Sequence, residues 1–342
     1  MKKMQKFYHI LNQAISLSSD NIILCNEFHQ DYAFFESPDL RERACNIKIQ
    51  VMNDLLTIND NCIDISSHPT PSHFIFQIIV SEIMSRLTGF YLLHAGVLQY
   101  RDHLIVLAGS PGIGKSTLVN AFVEKGSTFF SDDCAPLHKQ TGLIYPFPRS
   151  MWMIDSSQEP LHVFRLKKSI PIVAPGKKPV KPTIIICLTD DTAQDRIELN
   201  LSLKILSKSL MMDLQALEGL VINRRHDYYE EYRISYQASE SIHERIQQVF
   251  QKHRQDLWHV YRVAPERKCF HRPATITEVT AHQAAAHMIP EMKLFSSHLK
   301  QSSEEPKMIS LIHISKLIQD VRCFFMSVGH LASEINCIEQ IL

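Results

Sequence analysis

The chain has no excess charge: its 342 residues carry 36 Lys+Arg against 36 Asp+Glu. That balance excludes a generally basic nucleic-acid coat and a generally acidic solvating tail. Long apolar runs are missing too. The longest, around 74–83 and 183–188, fall short of the roughly 20 residues a membrane-spanning helix needs. The start, MKKMQKFYHILNQAIS, is basic but lacks an apolar stretch of about 7–15 residues and a small-residue cleavage site. It reads as mature sequence. Eight cysteines (Cys25, Cys45, Cys62, Cys134, Cys187, Cys269, Cys323 and Cys337) form no CxxC and stand at no finger spacing with histidine. They lie in apolar stretches, as reduced core cysteines do. The expected compartment is the cytoplasm, without a disulfide framework. The 18 histidines are scattered, so no metal cluster is expected. Repeats, low-complexity tracts and an aromatic-basic stripe are also absent, and neither a nucleic acid nor a membrane is an expected partner.

What is present is an ordinary globular composition, 45% apolar and 21% charged, sufficient for a core without staples. At roughly 100–200 residues per domain, the length fits two units. Residues 1–70 read as a small β-rich N-terminal unit. Ala14–Leu17, Ile22–Cys25 and Tyr32–Phe35 look like strands, with Ser19-Asp20-Asn21 as a turn. The prolines of His68-Pro69-Thr70-Pro71 form a stiff joint. Residues 71–342 read as one α/β domain with a mixed C-terminal part. It starts with a helix over Phe74–Leu87 and strands over Tyr91–Leu98 and His103–Ala108. A helix over Leu118–Lys125, closed by Gly126, and a strand at Thr128–Phe130 complete a βαβ-type unit. Further on, Thr183–Leu188 and Cys323–Val328 read as strands. Leu201–Leu217, Ser239–Lys252 and Leu331–Leu342 read as helices. Residues 262–310 have poor periodicity and are expected to hold a mobile loop.

Between the strand at His103–Ala108 and the following helix stands Gly109-Ser110-Pro111-Gly112-Ile113-Gly114-Lys115-Ser116, followed by Thr117. It fits G-x-x-x-x-G-K-[ST] in its confirming context, strand before and helix after. Glycines let backbone N–H groups converge on an anion. Lys115 supplies a point charge for β/γ phosphates, and the Ser116 hydroxyl suits Mg²⁺. The helix adds its N-terminal partial positive charge. Nucleotide binding is therefore expected, but this loop does not separate kinase from ATPase, GTPase or transport subunit.

Two flanking features narrow the choice. Asp132 and Asp133 end the next strand, on the phosphate side of the sheet. One carboxylate can serve the metal and the other can accept a hydroxyl proton; a solvated turn or helix cap is the plain alternative. His94 lies in the strand preceding the loop strand, where a lone histidine is ordinarily a core residue with a hydrogen bond.

Together these residues resemble the catalytic domain of bacterial HPr kinase/phosphorylase. Leu93-His94-Ala95-Gly96-Val97, the loop ending Gly114-Lys115-Ser116, and Asp132-Asp133 occur in that family's order. His94 lies 21 positions before Lys115, and Asp133 lies 18 after it. The resemblance covers residues 90–135. It implies an α/β fold with a P-loop core of HPr kinase/phosphoenolpyruvate carboxykinase type. It also implies an ATP- and Mg²⁺-dependent serine kinase acting on a peptide or protein hydroxyl. In that reading the loop residues bind ATP, Ser116 and Asp132 take the metal, and Asp133 is the base. His94 lies by the transferred phosphoryl group. The family's glycine-rich segment after the Asp pair, with its second metal-binding acid, has no counterpart. Glu159 is the nearest acid, and Tyr145-Pro146-Phe147-Pro148-Arg149 stands in its place. That segment and Cys323–Gly329 look like divergent HPr-kinase-related proteins, some linked to phosphorylating serine in ribosomal precursor peptides. The family forms hexamers, so a homo-oligomer is a further expectation.

Two other functions stay open: a kinase of a small molecule such as free serine, and a non-catalytic nucleotide-sensing regulator. Outside the loop, Lys177, Lys178 and Lys181 read as a solvated loop or a clamp. Arg224-Arg225-His226 reads as surface charge or a phosphate contact. Arg149 lies where it could reach the nucleotide; Tyr228, Tyr229 and Tyr232 could stack a base, though tyrosines at i, i+4 more often pack half into a core.

Overall fold

In the computed structural model the described residues are 4–53, 55–65, 71–149, 151–154, 167–170, 175–189, 196–203, 207–224, 231–237, 239–253, 256–262, 272–292 and 307–342. The first part comprises β1 (Met4–Ile10), β2 (Gln13–Ser19), α1 (Ile22–Tyr32), β3 (Ile47–Met52), β4 (Leu55–Ile58), β5 (Asn61–Asp64) and α2 (Pro71–Ser85). The strands form one sheet in the order β1-β2-β3-β4-β5. Only β2 and β3 run parallel, because α1 intervenes between them. The strands expected at Ile22–Cys25 and Tyr32–Phe35 are instead α1 and a 3₁₀ turn. Asn21, read as part of a turn, is the N-cap, and its side chain accepts from the Leu24 N–H at 3.1 Å. Leu24, Cys25, Phe28, Asp31 and Tyr32 are buried, which is helical spacing.

The core of this sheet does not stop at residue 70. Ile75, Ile78, Ile79 and Ile83 of α2 belong to it, and so do Phe90, Leu92, Cys134 and Phe147. The chain then forms β6 (Phe90–Leu93), β7 (Ala95–Tyr100), β8 (His103–Ala108), α3 (Lys115–Glu124), β9 (Thr128–Ser131) and β10 (Ala135–His138). The single strand expected over Tyr91–Leu98 is broken at His94. Its first half pairs with β10 and its second joins a different sheet.

The remaining elements are β11 (Met151–Ile154), β12 (Lys167–Ile170), β13 (Ile184–Thr189), β14 (Arg196–Leu203), α4 (Lys208–Gln215), β15 (Leu220–Arg224), β16 (Glu231–Gln237), α5 (Glu240–Lys252), β17 (Leu257–Arg262), β18 (Thr275–Val279), α6 (Ala281–Met288), α7 (Lys307–Leu317), β19 (Arg322–Ser327) and α8 (Leu331–Ile341). A six-stranded mixed sheet, ordered β18-β19-β13-β8-β7-β9, forms the centre. β8, β13 and β19 run parallel. Their side chains alternate between two cores. Val106, Ile185 and Cys323 face α6 and α7, whereas Leu107, Ile186 and Phe324 face α3 and α8. The result is a mixed α/β architecture with helices on both faces of this sheet. In the expected strand–loop–helix–strand unit, β8 and β9 are not neighbours. β7 lies between them, antiparallel to both.

The helix expected over Leu201–Leu217 is two elements. Leu199, Leu201 and Leu203 alternate inward along β14, and Ser207 caps α4 by accepting from the Leu210 N–H at 3.3 Å. β14 belongs to an antiparallel sheet, β15-β16-β14-β17, which shares its own core with α4 and α5. Of residues 262–310, β18 and α6 are ordered elements; residues 263–271 and 293–306 lie outside the described residues. Among the described residues no helix is long and apolar enough to cross a membrane.

Candidate functional site

The topology brings three separate pieces of sequence to one edge of the central sheet. β8 ends at Ala108 and feeds the glycine loop. β9 runs in the same direction as β8 and ends at the same edge with Ser131, followed by Asp132 and Asp133. β7 runs the other way and therefore starts there, directly after His94. Its Ala95 pairs with Ala108 and its Val97 with Ser131. His94 consequently stands between the loop and the acids.

The loop closes tightly. Gly109, Gly112 and Gly114 all have positive φ. Gly114 is the N-cap of α3 at φ 105°, ψ 13°, a conformation that costs a residue with a Cβ. The Ile113 side chain packs into the core beside α3 and anchors the loop from below. Ser110, Pro111 and Ser116 are half-buried, and Gly112 and Thr117 are exposed. Lys115 is only 5% exposed. Its ammonium donates to the carbonyls of Gly109 at 2.6 Å and Ser110 at 3.0 Å. A buried lysine requires such partners.

Ser116 and Asp132 converge, the hydroxyl donating to the carboxylate at 3.5 Å. They are two hard oxygen donors, one of them anionic and buried, and suit a Mg²⁺ ion that keeps water and phosphate ligands. Among the described residues no group of three His, Cys, Asp or Glu could hold a metal unaided. Asp133 points elsewhere: its Oδ1 lies 3.2 Å from His94 Nε2. The histidine side chain is 12% exposed and the aspartate 46%. The backbone N–H groups of Asp133 and Cys134 donate to Ser131 Oγ at 3.4 and 3.1 Å, ordering the turn that carries both acids.

Arg149 follows the strands that flank the acidic turn and reaches α1 of the N-terminal unit. Its guanidinium donates to buried Asp31 at 3.0 Å and lies over the Tyr32 ring at 5.1 Å. Burial opposes its charge, but Tyr32, Asp31 and Asp133 outweigh burial and raise its pKa. Burial pushes the Tyr32 phenol up to about 12 against the pull of Arg149. Asp31, Tyr32 and Ser131 had escaped the sequence reading. Nothing local marks the first two, since 118 residues separate Asp31 from Arg149.

The other candidates do not join this group. Lys177, Lys178 and Lys181 are exposed, and Lys181 pairs with Asp320 at 3.6 Å. Tyr232 is buried in the core of the four-stranded sheet. Glu159, Arg225, His226, Tyr228 and Tyr229 lie outside the described residues. None of the described cysteines forms a disulfide.

Scanned against protein-family models, the chain matches none, and no curated protein matches it.

Proposed function

We propose that this chain is an ATP- and Mg²⁺-dependent phosphotransferase with a P-loop core of HPr-kinase type. In this proposal it phosphorylates a serine hydroxyl on a peptide or protein. The observation that carries the reading is the meeting of the glycine loop, the Ser116–Asp132 pair and the Asp133–His94 pair at one sheet edge. Phosphoryl transfer asks mainly for positioning and charge neutralisation, plus a base for the nucleophile. These residues divide those tasks.

The loop N–H groups and Lys115 hold the phosphates, Lys115 exchanging its contacts with the Gly109 and Ser110 carbonyls for phosphate oxygens. Ser116 and Asp132 would hold Mg²⁺, which would supply charge neutralisation to the phosphates. Asp133 takes the proton from the serine hydroxyl as that oxygen bonds to the γ-phosphorus. The bond from γ-phosphorus to the bridging oxygen breaks, and ADP leaves with the electron pair. His94 orients the Asp133 carboxylate.

The test is a mass-spectrometric transfer assay with ATP and Mg²⁺. The acceptors offered are HPr, free serine and any short precursor peptide encoded beside the gene. One acceptor should gain a phosphoryl group, and Asp133→Asn should cut the rate by about 10²-fold or more while leaving ATP affinity nearly unchanged. Transfer to free serine alone would replace the peptide acceptor with a small molecule. ATP binding with Asp133→Asn as active as the native chain would remove Asp133 as the base.

A further inference from the structure

The HPr-kinase match at residues 90–135 stops short of the segment 145–149, which packs beside the acidic turn and carries a cation, Arg149. Arg149 is delivered by Tyr145-Pro146-Phe147-Pro148, which runs along both strands flanking the acidic turn. The Phe147 N–H donates to the Phe130 carbonyl at 2.9 Å and the Tyr145 N–H to the Pro136 carbonyl at 3.0 Å. Phe147 is fully buried against Tyr32 and Phe35. The segment leading to Arg149 is thus fixed to the strands flanking the turn, and the Arg149 side chain is held by Asp31 and Tyr32 of α1.

Asp31 is an unlikely residue for a purely structural strut. It sits in the last turn of α1 and is buried. Both the helix dipole and burial disfavour a carboxylate there. Its placement makes sense as the counter-charge that aims Arg149. That contact engages one guanidinium nitrogen, Nη2, whereas the planar fork offers five N–H donors. The Arg149 side chain remains 21% exposed, and Asp133, after Tyr32 and Asp31, is among the groups whose charge raises its pKa.

We infer that Arg149 is the second cation of the phosphate site and contacts the γ-phosphoryl group. This rests on the nucleotide reading above. A γ-phosphoryl group within reach of a hydroxyl on Asp133 lies beside two carboxylates, Asp132 and Asp133, which repel it. Lys115 faces the phosphates from the loop side. Arg149 supplies the opposing charge from the acceptor side, in the planar geometry that matches phosphoryl oxygens. Asp31 and Tyr32 make this the N-terminal unit's contribution to the site.

Calorimetric titration with ATP·Mg²⁺ and ADP·Mg²⁺ separates the roles. Arg149→Met should weaken ATP about tenfold or more, the worth of a charge-assisted hydrogen bond, and leave ADP within about twofold. Arg149→Lys should retain part of the preference. Asp31→Asn, which keeps the cation but releases it, should fall between. If Arg149→Met fails to fold, the last two variants carry the test. Equal effects on both nucleotides, or a lowered melting temperature with the ATP/ADP ratio unchanged, would make Arg149 a strut and overturn the inference. The nucleotide reading fails separately: Lys115→Ala should weaken both nucleotides, and a native chain that binds neither would overturn that reading first.

Discussion

At the residue scale, the site depends on a side chain that is missing as much as on those present. Gly96 lies in β7 where a Cβ would come 2.6 Å from Val119 Cγ2 and 3.6 Å from the Asp132 carbonyl. Its bare backbone lets α3 and the acidic turn approach β7 together. Gly96→Ala should cost about 1–3 kcal/mol by overpacking, read by chemical denaturation. It should also lower ATP affinity by displacing the start of α3; an unchanged stability would show that Val119 yields freely. The chemistry-bearing residues were legible in the sequence because their types are scarce in such settings. A lysine after three loop glycines, two successive aspartates at a strand end and a histidine amid apolar residues each stand out. Asp31 was not legible, because an acid late in a helix has no local signature and acquires its meaning only from Arg149.

At the scale of elements, periodicity identified those whose apolar pattern was unambiguous: α2, β8, β13, α5, β19 and α8. It failed where a cap mimicked a turn. Ser19-Asp20-Asn21 could open a turn or cap a helix, and only the helical spacing of the buried residues that follow decides. It failed again at Leu201–Leu217, where alternating leucines of β14 run into the Ser207-capped helix. That helix, α4, is tied to α5 by Asp213, which accepts from Lys252 and contacts His253, each at 2.7 Å. The Lys252 hydrogen bond, followed by His253, holds the Asp213 carboxyl below its ordinary range. A depressed acid stabilises the fold above its unfolded pKa and loses that contribution as pH falls through the folded value. The α4–α5 contact should therefore weaken below about pH 4. Asp213→Asn should remove that part of the acid sensitivity, measured as melting temperature against pH. An identical acid limb in the variant would show that other carboxylates account for it.

For the whole molecule, the core of the first sheet takes in Phe90, Leu92, Cys134 and Phe147, the junction between the β-rich first unit and the chain beyond α2. Phe147→Ala should cost about 3–5 kcal/mol, as for a large buried aromatic, and lower the denaturation midpoint. A loss below about 1 kcal/mol would show that this junction contributes little. The mixed α/β character was legible from strands and helices alternating along residues 90–131. The insertion of β7 between β8 and β9 was not, since local pattern carries no information on strand order. That order nonetheless places His94 between the loop and Asp133.

The proposed function requires the loop at 109–117 to hold ATP·Mg²⁺ in front of the Asp133–His94 pair. Equilibrium titration of the native chain and Lys115→Ala with ATP·Mg²⁺ tests it most directly. The native chain should bind saturably, in the micromolar range, and the variant should lose about 10²-fold or more, as when a charged phosphate contact is removed. No saturable binding by the native chain, or equal affinity in a folded Lys115→Ala variant, would contradict it.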